Sequence, residues 1–359
     1  MWIFDRSRTT YAESAGKFIK AISYRYSDEV FKAISSLFKV TLESAKNTYA
    51  TPISHLGVAY KVEVDKYRFG KTEVSPAWVN TSNVEYRYTE PALLLLSGRI
   101  NMETFMLINI IRFQVLNSTL EKPRFDERID NKVLPLLLTI QTLKQLEKID
   151  QQQAYISEME IGLLYQKPDH TDIFDFAKKI IESRETPHLS LPPGKNPDAF
   201  FNLFHSTGVI ISCKQVWING QRKGILVLAA NRKSIVDKLL LDPPEFLPIT
   251  WNDRWKWAYA YSKLPGNYNN YLPSEKQPVL IRQLPSNSKY DSTTGTLLLF
   301  SIYGAQFKIN DLVVWSNPVS GLKENVIYKI NGYPSFLQDG TVAFKIVEEF
   351  RSSHGKISY

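Results

Sequence analysis

A chain of 359 residues is too long for one ordinary domain and long enough for two or three, each with its own core. Its 43% hydrophobic and 22% charged residues fit a folded, soluble protein, the lone cysteine (Cys213) excludes an internal disulfide framework, and the longest apolar run, Val133 to Ile140, is far short of the ~20 residues that span a membrane. With 44 Lys and Arg against 36 Asp and Glu, the net charge of +8 favours an anionic partner, and a cytoplasmic protein that does not enter membranes is expected.

The first 26 residues mix aromatic and basic side chains, Trp2, Phe4, Arg6 and Arg8, before Ala15, Phe18, Ile19 and Ile22 recur at helical spacing. A second amphipathic helix starts at Ser27, followed by Asp28 and Glu29, and carries Phe31, Ile34, Phe38 and Leu42 on one face. Between Tyr60 and Lys71 basic and aromatic residues interleave, so Lys66, Arg68 and Lys71 suit phosphate contact, although a solvated loop explains them equally well. The organising stretch is Ala77 to Gln114. Trp78-Val79, a turn over Asn80 to Asn83, and Val84 to Tyr88 predict a hairpin. Thr89 predicts a helix N-cap, with Glu90 at the positive end of the dipole and Pro91 in the first turn. Ser97-Gly98 stops that helix, and another follows from Asn101 with Phe105, Ile108 and Ile111, ending where Arg112 and Gln114 break the apolar run.

A loop from Glu121 to Asn131 leads to a buried-looking helix, Val133 to Leu146. Ser157-Glu158-Met159-Glu160 is a capping box that predicts a helix from Ser157 to Tyr165, and Thr171 to Arg184 predicts another. After the Pro-, Ser- and Gly-rich loop from Glu185 to Pro197, Asp198 is expected to cap a helix over Ala199 to Phe204. Strands over Gly208 to Ser212 and Gly224 to Leu228 come next, and Asn231 is expected to cap a helix through Leu240. The order of helix, hairpin and capped helix thus occurs twice. The expected fold class is α+β, with tandem winged-helix-like domains over 1–120 and 121–245. A linker with one aromatic helix (246–290, with Trp251, Trp255 and Trp257) and a small SH3-like β-barrel (291–359) complete the chain.

The five histidines are scattered, and no spacing suggests a zinc site, a phosphate-binding loop, a nucleophile elbow or a metalloprotease helix, so no catalytic residue and no metal ligand is assigned. A metal-dependent nuclease needs an acid on one strand and an acid-x-lysine on the next; Asp130-Asn131-Lys132 alone has that spacing, in a loop. Ile302-Tyr303-Gly304 matches a GIY triplet with nothing downstream to answer it. Binding remains. Asn80, Asn83 and Arg87 form the first candidate wing, and Lys214, Gln215, Arg222 and Lys223 the second. Arg and Asn read base edges while Lys positions phosphates. Taken singly, each is explained as well by exposed solubilising charge; their grouping favours DNA.

The arrangement resembles the N-terminal DNA-recognition region of type IIS restriction endonucleases of the AlwI type and related nicking enzymes. Trp2 with Thr9-Thr10, the stretch Val84 to Leu96, and Ile110-Ile111-Arg112-Phe113-Gln114 carry the likeness. So do Val133 to Leu146 followed by Ser157 to Ile161, and Ala199 to Leu240 with Ser206-Thr207-Gly208. Together these pieces span about residues 1 to 245. The resemblance implies two winged-helix-like domains that grip duplex DNA and read a short site, and it makes Arg112 and Gln114 DNA contacts. The family's metal-dependent nuclease domain has no counterpart here: either cleavage belongs to a partner nuclease or effector subunit, which would bring the Mg²⁺, or the chain reads without cleaving.

The expectation is therefore a sequence-specific binder of double-stranded DNA in a restriction or related defence system, needing no cofactor of its own. Two alternatives stand beside it. One is a metal-dependent endonuclease with an unrecognised active site; the other is an interaction or modified-chromatin reader in which Trp315, Tyr328, Tyr333 and Phe336 of the barrel form an aromatic cage.

Overall fold

The computed structural model describes residues 14–22, 27–49, 53, 56–64, 72–75, 84–114, 133–166, 169–184, 197–248, 259–272, 281–285, 287–315, 322–323 and 326–349. Helices and strands both contribute, and the fold is α+β.

The chain begins with helices α1 (Ala15–Ile22) and α2 (Ser27–Phe38), whose apolar stripes are buried at Phe18, Ile19, Val30 and Ile34. Strands β1 (Ala59–Val64), β2 (Thr72–Ser75) and β3 (Val84–Tyr88) form an antiparallel sheet in the order β2-β1-β3. The expected partner of Val84 to Tyr88 therefore changes: β3 pairs with β1, Lys61 opposite Tyr86, while 78–79 lie outside the described residues. Helix α3 (Glu90–Leu96) starts as its sequence predicts, the Thr89 hydroxyl accepting the Ala92 N–H at 3.2 Å. It ends in a Schellman turn in which Arg99 N–H donates to the Leu94 carbonyl at 3.0 Å and Gly98 N–H to that of Leu95 at 3.1 Å, with Gly98 at φ 71°. Helix α4 (Met102–Ile111) is capped by Asn101 and buried from Thr104 onward.

Helix α5 (Pro135–Ile149) is likewise a core helix. Strand β4 (Ile156–Ser157) precedes α6 (Ile161–Gln166). The capping box works, Ser157 N–H donating to the Glu160 carboxylate at 2.7 Å, although the helix proper begins four residues later than expected. Helices α7 (Ile173–Ser183) and α8 (Pro197–His205) lead to strands β5 (Ile210–Ile218) and β6 (Gln221–Leu228), and the sheet order is β4-β6-β5. Asp198 lies inside α8 rather than capping it. Helix α9 (Lys233–Leu241) has no side-chain cap, because Asn231 is held in a preceding 3₁₀ turn, Ala230–Arg232.

Packing crosses the expected domain limits in two places. One continuous apolar core runs from Ala15 through α4, α5 and α8 to Tyr271, so residues 1–120 and 121–245 share an interior; the Glu103–Arg232 ion pair also crosses their boundary. The segment 259–272, expected to be linker, belongs to this body: Tyr271 has no exposed surface and Ser262 is buried. The Pro-rich stretch hid this, because four apolar side chains (Leu264, Tyr268, Tyr271 and Leu272) pack it without an extended periodic element.

The C-terminal unit begins earlier than 291. Strand β7 (Ile281–Gln283) is followed by β8 (Lys289–Asp291), β9 (Thr296–Phe300), the short helix α10 (Ser301–Ala305) and β10 (Leu312–Val314). Strands β11 (Ile327–Ile330), β12 (Ser335–Phe336) and β13 (Thr341–Glu348) complete it. The path β7-β10-β11-β13-β9-β8 is antiparallel except where β7 joins β10 in parallel. Among the described residues no ladder joins its two ends, and no closed barrel is detected. Trp315 and Tyr328 are buried in its core and Phe336 packs against it, while Tyr333 is 83% exposed. Ile302-Tyr303-Gly304 is a turn of α10 that fits against β13, where a side chain at 304 would collide with Val342. No helix among the described residues is long and apolar enough to cross a membrane.

Candidate nucleic-acid interface

The hairpin β5–β6 gathers four of the sequence-predicted contacts. Asn219 (φ 50°) and Gly220 (φ 74°) are both left-handed, the geometry a two-residue type I′ turn requires and the reason an Asn-Gly pair sits there. A bulge shifts the register between Cys213, opposite Ile225, and Val216, opposite Lys223. Lys214 and Gln215 together stand against one residue of the partner strand, Gln215 at φ 65°, and both are exposed. Gly224 faces this bulge across the ladder. Its N–H donates to the Glu158 carboxylate, and a side chain at 224 would displace that carboxylate.

On the strand beyond the turn, Arg222 lies directly opposite Trp217, its guanidinium 5.0 Å from the indole centre. Such cation–π contacts contribute roughly 0.5–1 kcal/mol at exposed sites and narrow the rotamers a long basic side chain samples. Arg222 is exposed and Lys223 half-buried.

The root of the hairpin is covered on both faces. Ile210 and Leu226 enter the large core, while Ile211, Cys213, Val216, Ile225 and Val227 meet Ala305 and Ile302 of α10 and Phe336 of β12. That explains the unbroken apolar run of β6. Cys213 S–H donates to the Ala305 carbonyl at 3.5 Å, and burial pushes its thiol pKa up to about 12, so it is a packing residue and not a nucleophile. Only the tip and the bulge project from this packed root.

The remaining predicted contacts fare differently. Arg6, Arg8, Lys66, Arg68, Lys71, Asn80 and Asn83 lie outside the described residues, as do Asp130 and Lys132. Arg87 sits on β3 with Nε donating to the buried Glu85 carboxylate at 3.3 Å, a strand residue and not a wing tip.

Arg112 and Gln114, expected on DNA, are turned inward. Arg112 donates from Nε to the Ile108 carbonyl at 2.9 Å, from Nη1 to that of Lys263 at 2.7 Å and from Nη2 to that of Tyr261 at 3.2 Å. Gln114 has no exposed surface; its amide both donates to the Leu247 carbonyl (3.2 Å) and accepts the Leu247 N–H (2.9 Å). These two residues fasten the segment after 242 to the body, helped by the Glu90 carboxylate, which accepts from Lys263 Nζ and Leu264 N–H, both at 2.8 Å.

Sequence reasoning passed over Lys178 and Lys179, exposed on the outer face of α7, with Lys178 Nζ 4.4 Å over the Phe174 ring. The signal was available: Ala177 and Ile180 are the buried positions of that helix, so 178 and 179 face outward. The two histidines among the described residues hold backbone amides. His170 Nε2 accepts the Leu134 N–H at 3.0 Å and His205 Nδ1 that of Ser212 at 3.1 Å. No cluster of three His, Cys, Asp or Glu side chains able to hold a metal ion occurs among the described residues.

No protein-family model matches the chain, and no curated protein matches it significantly.

Proposed function

We propose that the protein binds double-stranded DNA with sequence specificity, as the recognition component of a restriction or related defence system. The observation that carries this reading is the β5–β6 hairpin, whose root is clamped on two sides while its tip and bulge offer Lys214, Gln215 and Arg222 to solvent. A rigid strand pair bearing long cationic and amide side chains suits a DNA groove, the cations taking phosphates and Gln or Arg the base edges.

The topology around it supports a winged-helix-like reading of the second unit. Helix α5, strand β4, helices α6 to α8 and the hairpin follow in order, and β4 pairs with the second hairpin strand to give β4-β6-β5. In that reading the hairpin is the wing, and exposed Lys178 and Lys179 lie on a helix preceding it. The first unit is the looser likeness, since its hairpin joins β1 to β2 and not β3 to its expected neighbour. We read the C-terminal sheet as an SH3-like module open between β7 and β8. Cleavage, with its Mg²⁺, belongs in this reading to a partner subunit.

Selection of bound fragments from a random duplex library tests binding and specificity together. A consensus is expected, with affinity falling steeply as salt rises, because each neutralised phosphate releases counterions. Absence of duplex binding at low salt overturns the reading.

A further inference from the structure

Where helices α5 and α9 meet the C-terminal sheet, a cleft of about 490 Å³ opens. Its size lies within the range of sites for small molecules, about 300–1,000 Å³, and such sites concentrate where separately cored parts of a chain meet. Leu143 and Val236 of the large core line it on one side, and Pro285, Tyr303 and Gln306 of the C-terminal unit on the other.

Three features give the cleft a chemistry. Gln306 lines it and is 8% exposed, yet its side-chain amide makes no hydrogen bond among the described residues. The amide offers a donor and an acceptor side by side at the cleft wall, and this pairing matches the adjacent donor and acceptor of an adenine edge. Tyr303, three residues earlier on the same turn of chain, supplies an aromatic side chain in the same wall, with Leu143, Leu228 and Val236 as apolar neighbours. At the mouth stands Lys233, exposed and with no carboxylate partner among the described residues, whereas Lys144 is neutralised by Glu147 at 2.7 Å. One uncommitted ammonium is then available for a phosphate.

We propose that this cleft binds a nucleoside monophosphate, with the base edge on Gln306, the ring against Tyr303 and the phosphate at Lys233. The site is independent of DNA binding and would exist if the hairpin bound nothing.

Titration calorimetry of the full chain with adenosine monophosphate, adenosine and inorganic phosphate tests it. The nucleotide is expected to bind in the micromolar to millimolar range, and each fragment at least about tenfold more weakly. Gln306→Leu deletes an amide that holds nothing together, so the fold should survive, checked by urea unfolding; it should weaken the nucleotide about tenfold and leave phosphate unchanged. Lys233→Glu should weaken nucleotide and phosphate alike. Lys238→Glu, on the same helix but outside the cleft, should change neither. The proposal is overturned by no heat at about 10 mM nucleotide, by phosphate binding as tightly as the nucleotide, or by Lys238→Glu acting like Lys233→Glu.

Discussion

Arg112 and Arg222 both stand a few residues from an apolar helix or strand end, in sequences that look equally ready for a phosphate. The first donates to carbonyls of residues 108, 261 and 263; the second lies over Trp217 with its guanidinium open to solvent. The difference comes from what the chain brings back to each place. A returning segment with unpaired backbone carbonyls lies against Arg112, and buried carbonyls must find donors. Among the described residues Arg222 faces its cross-strand neighbour Trp217. A basic residue is thus assigned to structure or to recognition by the distant chain that reaches it, here about 150 residues downstream.

Arg184 offers the strongest way to test the structural half of that contrast. It donates to the Glu160 carboxylate at 2.7 Å and to the carbonyls of Gln153 (2.9 Å) and Tyr155 (2.6 Å), with its guanidinium 3.8 Å from the Tyr155 ring centre. Arg184→Met leaves Glu160, whose side chain is 4% exposed, without its counter-ion. The expected loss is about 3–5 kcal/mol in urea unfolding. A loss under about 1 kcal/mol breaks the assignment.

The sequence made much of the local structure legible. Thr89, Asn101 and the Glu160 end of the capping box were readable because each acts on backbone groups within three residues. What was not readable needed partners far away. Lys61 opposite Tyr86, Gln114 against Leu247, and Tyr271 in a core built mainly before residue 240 are all set by tertiary packing. The hairpin position of Lys214, Gln215, Arg222 and Lys223 was legible because a turn keeps its polar side chains outward, whereas Arg112 and Gln114 carry the same residue types at the end of a helix that the chain later covers.

Lys61 gives the next largest effect and belongs to the first region alone. It is 1% exposed, and burial lowers its pKa to about 7 from the usual 10.5. The unfolded chain therefore binds more protons than the folded one between those values, so stability should rise as pH increases from about 7 to 10, by roughly 3 kcal/mol. Below pH 7 both states are protonated and this contribution to the pH slope vanishes. Lys61→Met should flatten the slope; an unchanged profile would count against a desolvated ammonium.

A crossed comparison then sharpens the two uses of polar side chains. Gln114→Leu strands the Leu247 N–H and carbonyl and should cost about 2 kcal/mol of stability without altering the DNA affinity of folded protein. Lys214→Glu with Arg222→Glu should do the reverse, costing no more than about 1 kcal/mol of stability, the Trp217 contact included, while lowering duplex affinity about tenfold or more and reducing the salt slope by about 2. Fluorescence anisotropy across a salt series reads both variants. If Gln114→Leu loses DNA affinity at full folding, the inward assignment is wrong.

The smallest effect tests the turn that presents the basic tip. Gly220 has φ 74° with open space where a Cβ would lie, so Gly220→Ala meets no neighbour and pays only for the left-handed backbone. About 1 kcal/mol of stability should be lost. Asn219 shares the left-handed conformation, and asparagine tolerates it where most residues do not. The hairpin's root, fixed by packing on both faces, should keep its register in the variant, so hydrogen exchange should quicken at residues 218 to 221 and stay slow at 225 to 227. If exchange quickens equally along β5 and β6, the tip and root form one unit and the clamped root does not hold the tip in place. DNA affinity should then fall with stability, whereas a locally loosened tip weakens binding only through the order it must regain on the DNA.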